Sequence, residues 1–166
     1  MLQPVVRRTW APRGQTPIQH SWDRRDRLSV VSAITVSARR RRLGLYFDIA
    51  DHNIVTEDFE AFVAVVLRRL RHPIILVMDR WPVHRAAARR LLRRFPERVE
   101  IEWLPAYAPE LNPVEQVWNR TKYTDLANYI PDDIVTLGQA VAASIRSTRS
   151  QTTLLRSFFR HCKLEL

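Results

Sequence analysis

An internal disulfide is excluded from this chain, because Cys162 is its only cysteine, and the adjacent His161 makes no metal motif by itself. No apolar run approaches the ~20 residues that a membrane span needs. The opening "MLQPVVRRTW" lacks the long apolar core of a secretory signal. No internal repeat or low-complexity linker interrupts the 166 residues, a length that fits one domain with a real core. With 46% hydrophobic residues, a disordered chain is also excluded. These absences make the cytoplasm the expected compartment and a membrane an unexpected partner. Lysine is scarce as well. Only Lys122 and Lys163 are lysines, so 25 of the 27 basic residues are arginines, against 17 acidic ones. The net charge is +10, and arginine is the better fork for phosphate oxygens. An anionic polymer, nucleic acid first, is the expected partner, with a merely solvated arginine-rich surface as the alternative.

What is present reads as alternating strands and helices. Residues 1–26 mix Pro4, Pro12, Gly14 and Pro17 with charge and read as loop or short edge strand. "LSVVSAITV" (28–36) is β-branched, and "LGLYFDI" (43–49) alternates Leu43, Leu45, Phe47 and Ile49 on one face. They predict an antiparallel hairpin with a basic tip at 37–42. Thr56 is a candidate cap for a helix with Phe59, Phe62, Val63, Val66 and Leu70 at helical spacing, closed by Pro73. "IILVM" (74–78) predicts a strand covered on both faces. A further helix carries Ala88, Leu91, Leu92 and Phe95 on one stripe and Arg85, Arg89 and Arg93 on another. "VEIEWL" (99–104) alternates as a half-buried strand, and helices follow over roughly 113–127, 132–148 and 151–163. The order β-β-α-β-α-β-α-α-α predicts a mixed α/β sheet.

Two carboxylates attract attention in that layout. Asp79 follows the strand 74–78 directly, and functional groups gather at strand carboxyl ends in open α/β sheets. The strand 99–104 should run parallel and end beside it. There "LPAYAPELNPVEQVW" (104–118) begins, with three prolines in ten residues leading to Glu115. Asn112 as N-cap, Pro113 at the first helical position and Glu115 at N3 form a capping pattern, which alone could explain the glutamate. Glu115, Asn119 and Lys122 at i, i+4 and i+7 form a polar row, either a solvent face or one turned to metal and phosphate.

"LVMDRWPVH" with "LPAYAPELNPVEQVWNRTK" resembles the catalytic core of mariner-type DDE transposases, in their bacterial insertion-sequence branch. "RRTWAPRGQTP" (7–17) is similar to a segment that follows their first catalytic strand. The resemblance runs from the chain's start to about residue 125. It implies a ribonuclease-H-like fold and metal-dependent DNA cleavage and strand transfer. Asp79 becomes the second metal-binding acid and Glu115 the third, with thirty-five residues between them. Magnesium or manganese in a two-ion site is the implied cofactor. His84 matches a histidine often found after the second acid and is expected to be substrate-contacting or structural and not a ligand; with the Arg85, Arg89 and Arg93 stripe, Asn119 and Lys122, it completes the candidate DNA-contacting set. The implied partner is DNA, both transposon ends and target, with room for a homodimer. The implied setting is bacterial and nucleoid-associated.

The sequence departs from the family pattern at two places. Arg80 stands where an asparagine is expected, and no acid precedes Asp23, which lies beyond the "RRTWAPRGQTP" match. Asp48 matches no family acid. The expectation is therefore a single, partial catalytic domain over 1–166, without its first central strand, first aspartate or N-terminal helix-turn-helix, and inactive alone. A late start, a decayed element or a frameshifted junction would each produce it. The runner-up reading is a non-catalytic basic DNA-binding protein derived from a transposase. A ribonuclease-H-like nuclease outside transposition comes third.

Overall fold

A computed structural model describes residues 5–15 and 27–166; the part of the N-terminal reading that falls on 1–4 and 16–26 lies outside them. The β-branched run forms β1 (Ser29–Val36), which pairs antiparallel with β2 (Leu43–Ala50), from Ser29 opposite Ala50 to Val36 opposite Leu43. Their turn closes on Ser37. Its carbonyl accepts the Arg40 N–H at 2.7 Å, its hydroxyl accepts the Arg42 N–H at 3.0 Å, and Arg40 is left-handed at φ 54°.

Helix α1 (Thr56–Leu70) follows, capped differently from expectation. Val55 holds the N-cap position, and the Asp58 carboxylate accepts its N–H at 3.0 Å, which makes Thr56 the first helical residue. Next come β3 (Ile74–Met78), α2 (Pro82–Arg94) and β4 (Val99–Trp103). The two strands pair in parallel, from Ile74 opposite Val99 to Met78 opposite Trp103. Then α3 (Pro113–Arg120) runs into a single wide turn at Thr121–Asp125, followed by α4 (Ile134–Ser150) and α5 (Thr152–His161).

The sheet is thus two pairs, β1–β2 and β3–β4, and no ladder joins β1 to β3 among the described residues. Val5 instead bridges Ala127, and its carbonyl accepts the Asn128 N–H at 2.9 Å. The described N-terminal segment therefore lies on the turn after α3. Two cores flank the hairpin. Leu45, with Leu43, Phe47 and Ile49 beside it, meets Val117, Leu137, Val141, Ile145, Leu155 and Phe158 of α3, α4 and α5. Val31, Ala33 and Tyr46 face the other way, toward Phe59, Val63, Met78, Ala88, Leu91 and Val99.

One expectation fails here. β3 is covered on one face only, with Ile75 62% and Val77 56% exposed, because α1 and α2 both lie on the opposite face. Leu92, expected in the inward stripe of α2, is also exposed. No described helix is long and apolar enough to cross a membrane.

Candidate active site

The parallel ladder of β3 and β4 continues one step past the strands. Leu104 donates its N–H to the Met78 carbonyl at 2.9 Å, so the chain leaves β4 beside the start of Asp79. Asp79 is fixed through one oxygen. Its Oδ1 accepts the Trp81 backbone N–H at 2.9 Å and lies 2.7 Å from Nδ1 of His84. With a carboxylate opposite, that nitrogen carries the ring proton. The His84 side chain is only 17% exposed. It is wedged between Phe59 of α1, at 4.4 Å between ring centroids, and the edge of Trp81, at 5.3 Å. His84 thus reaches Asp79 and orients its carboxylate. Asp79 itself is half open to solvent, and its Oδ2 has no hydrogen bond among the described residues.

Glu115 arrives from the other side. The loop from β4 is stiffened by Pro105 and by a short 3-10 turn, Pro109–Leu111. Asn112 then caps α3, its side-chain oxygen accepting the Val114 N–H at 3.2 Å. The reciprocal half of the expected capping pattern is not formed, because the Asn112 N–H is taken by the Pro109 carbonyl at 3.0 Å. The Glu115 carboxylate is therefore free of a capping duty. It is half-buried in the first turn of α3. A helix N-terminus favours a charged carboxylate, yet burial and the negative charge of Asp79 together push Glu115 above its ordinary range. The two acids stand within electrostatic reach of one another.

On α2, the arginines divide between two duties. Arg90 reaches Glu57 at 2.6 Å and Arg94 reaches Glu60 at 3.1 Å, both on α1. Arg85, Arg89 and Arg93 face solvent with no acidic partner among the described residues. The stripe read from the sequence is the unpaired one. Of the polar row, Glu115 and Asn119 lie on α3 and Lys122 in the wide turn at Thr121–Asp125 that continues it, with its Nζ 5.3 Å from the centre of the Tyr123 ring. Asn119 lines a shallow groove with Arg7, Tyr123 and Phe158. Arg7 is tied there by Nη1, which donates to the Tyr123 carbonyl at 2.6 Å.

A family model described as DDE superfamily endonuclease matches residues 1–137. The chain belongs to that family. Among solved structures it is similar to the Mos1 mariner paired end complex with Mn, at 14% identity and a TM-score of 0.60, covering 98% of this chain and 51% of that one. The Mos1 strand transfer complex aligns at 15% identity and a TM-score of 0.56, covering 98% of this chain and 50% of that one. This chain thus spans about half the length of the solved chains it matches. No curated protein sequence matches. The likeness is one of fold: small sheets with flanking helices in the ribonuclease-H-like arrangement.

For a DDE endonuclease the donor set matters most. Asp79 and Glu115 offer oxygen alone, as hard divalent cations prefer. Their mutual repulsion is relieved by no neighbouring lysine or arginine among the described residues. They fit a divalent cation held between two carboxylates. A third acid is not beside them, since no group of three or more metal-binding side chains exists among the described residues. Sequence reasoning missed the pairing of Arg90 and Arg94, and the wall that Phe59 builds behind His84. Glu57 and Glu60 on the first turn of α1 were the available signal for the first, and nothing local signalled the second.

Proposed function

We propose that this chain is catalytic-core material of a mariner-type transposase of the insertion-sequence branch, acting on DNA by metal-dependent cleavage and strand transfer. The observation that carries this reading is the acid pair: a half-buried Glu115 with no capping duty, raised by its burial and then by the charge of an Asp79 whose Oδ1 is already immobilised. Asp79 and Glu115 hold the cation, magnesium or manganese, which when bound supplies Lewis acidity toward a phosphate oxygen and an attacking hydroxyl. His84 keeps Asp79 in one rotamer and its Oδ2 turned outward. Arg85, Arg89 and Arg93 neutralise phosphates along the exposed side of α2, and Asn119 and Lys122 contact the DNA strand beyond Glu115. A homodimer acting on two DNA ends, in a bacterial nucleoid, completes the reading.

Residues 1–166 alone do not nick DNA in this proposal, because among the described residues no third acid joins Asp79 and Glu115, which would hold a cation by themselves. Loss of one preorganised electrostatic contact costs ~10²–10³ in rate, and loss of a bridging acid costs at least as much. The test compares purified 1–166 with a chain extended ahead of Leu2 by a hydrophobic strand bearing an aspartate, each with manganese and supercoiled plasmid. Only the extended chain should nick, and Asp79→Ala or Glu115→Ala should silence it. Nicking by 1–166 itself, abolished by Asp79→Ala, would show that another acid serves. The second reading, a non-catalytic DNA-binding protein, is favoured by the absence of a three-acid group among the described residues. DNA binding by an extended chain that never nicks would establish it.

A further inference from the structure

The loop that delivers Glu115 holds a residue that neither the acid pair nor the basic stripe uses. Tyr107 is fully exposed, with its backbone left-handed at φ 57°. A bulky aromatic residue rarely adopts that conformation. No hydrogen bond, ring contact or ion pair of its side chain offsets the strain among the described residues. The strain is also local and held. Pro105 precedes the tyrosine, and the 3-10 turn closed by the Leu111 N–H on the Ala108 carbonyl at 3.1 Å follows directly. A rigid frame therefore keeps a naked ring in water.

Its surroundings suggest a use. Tyr107 follows β4, as Trp81 follows β3, and these neighbouring parallel strands end level with each other. Trp81 is 45% exposed, and its other edge rests on His84, which holds Asp79. Two exposed aromatic side chains thus follow the same strand ends that Asp79 follows. The Arg85, Arg89 and Arg93 side of α2 begins four residues beyond Trp81. Exposed rings beside an unpaired cationic stripe, on a chain of net charge +10, are complementary to a polyanion that carries flat apolar faces.

We infer that Tyr107, with Trp81, is a stacking platform for unpaired nucleobases of a DNA strand whose phosphates lie along the α2 arginines. This rests on the DNA-acting reading above and deepens it: the site favours a frayed or single-stranded segment over an intact duplex. Every base has a π-face, so the platform is tolerant of sequence, and its contribution is separate from the salt-dependent phosphate contacts.

The experiment uses the whole chain and two oligonucleotides of equal phosphate number, one a blunt duplex and one with a frayed end carrying 2-aminopurine. The wild-type chain should bind the frayed DNA more tightly and quench the probe. Tyr107→Ala should weaken frayed-end binding by about fivefold or more, with duplex affinity and salt dependence little changed. Tyr107→Phe should keep the wild-type behaviour. Tyr107→Gly separates function from folding, since glycine accepts the left-handed backbone: its melting temperature should hold or rise while frayed-end binding falls. Equal affinity of all variants for frayed DNA, with duplex binding intact, would overturn the platform and leave the DNA reading standing. Failure of the wild-type chain to bind either DNA would overturn both.

Discussion

The two strand pairs of this molecule are built to different standards. The β1–β2 hairpin is covered on both faces, by α3, α4 and α5 on one side and by the α1 core on the other. The β3–β4 pair is covered on one face, leaving Ile75 and Val77 in water. The acid pair straddles this inequality. Asp79 ends the half-covered pair, whereas Glu115 rides on α3, which packs against β1 and α5. Among the described residues no ladder crosses between the pairs, so side-chain packing of β1 and β2 against α1 and its neighbours joins them. The geometry of the acids is therefore only as firm as that core.

The largest effect should come from breaking either core. Leu91 and Ile145 are fully buried on opposite sides of the hairpin. Leu91→Ala and Ile145→Ala should each cost ~2–5 kcal/mol, through lost transfer energy and the cavity left behind. Because the hairpin belongs to both cores, each substitution should shift one shared transition, followed in urea by far-UV circular dichroism and tryptophan fluorescence. Two separated transitions would show that the halves unfold independently, and the comparison would then describe two units.

The same contrast explains what was legible in the sequence. Strand alternation in 43–49 foretold the face that packs on the C-terminal helices, because a half-polar strand states which side is inward. "IILVM" is apolar throughout and carries no such statement, so a one-sided strand looked two-sided. The end of α3 was illegible for a different reason. Thr121 is fully buried, and Ser144 of α4 places its hydroxyl 2.9 Å from the Thr121 hydroxyl and 2.7 Å from Asp125 Oδ2. A contact twenty-three residues away leaves no local periodicity. The approach of the two acids was readable from strand ends and prolines. The hold of His84 on Asp79 was not, since it depends on where Phe59 packs.

A second test sharpens the divided duty of the α2 arginines. Arg85, Arg89 and Arg93 should each contribute to duplex binding through a neutralised phosphate, worth about 0.9 in the slope of log affinity against log salt. Replacing all three with alanine should lower that slope by about 2.7. Replacing Arg90 and Arg94, which are engaged with Glu57 and Glu60, should leave the slope close to its original value. Fluorescence anisotropy across a salt series reads both. Equal slopes for the two sets would mean that the ion pairs to α1 open on DNA.

Glu115 probes the junction of the halves by charge. Its folded pKa lies above the ordinary value of 4.5, so the folded state binds a proton more readily than the unfolded one. The sign follows: the destabilisation is fully present above the folded pKa and vanishes as pH falls below 4.5. Glu115→Gln should therefore stabilise the chain at neutral pH and confer little at pH 4. Divalent cation should reverse the ranking. At ten times its dissociation constant, a bound ion adds about 1.4 kcal/mol to the parent, a rise of roughly 3–6 °C in melting temperature for a chain of this size. The Gln variant should lack that rise. A thermal shift identical in both proteins would separate Glu115 from cation binding.

The smallest expected effect lies on the open face of β3. Ile75 pairs with Glu100 and Val77 with Glu102, so two apolar and two acidic side chains share one side of the sheet. Leu76 lies on the other side, packed on the α1 core. Ile75→Thr and Val77→Thr keep β-branching and exchange exposed carbon for a hydroxyl, and surface substitutions of that kind stay within about 0.5 kcal/mol. Leu76→Ala, by contrast, removes packed carbon and should cost distinctly more. Denaturant melts of the three variants decide the matter. A loss at Ile75 or Val77 as large as that at Leu76 would mean that something covers this face in solution. The half-covered pair would then be as well supported as the hairpin, and Asp79 would be held by more than the α1 core.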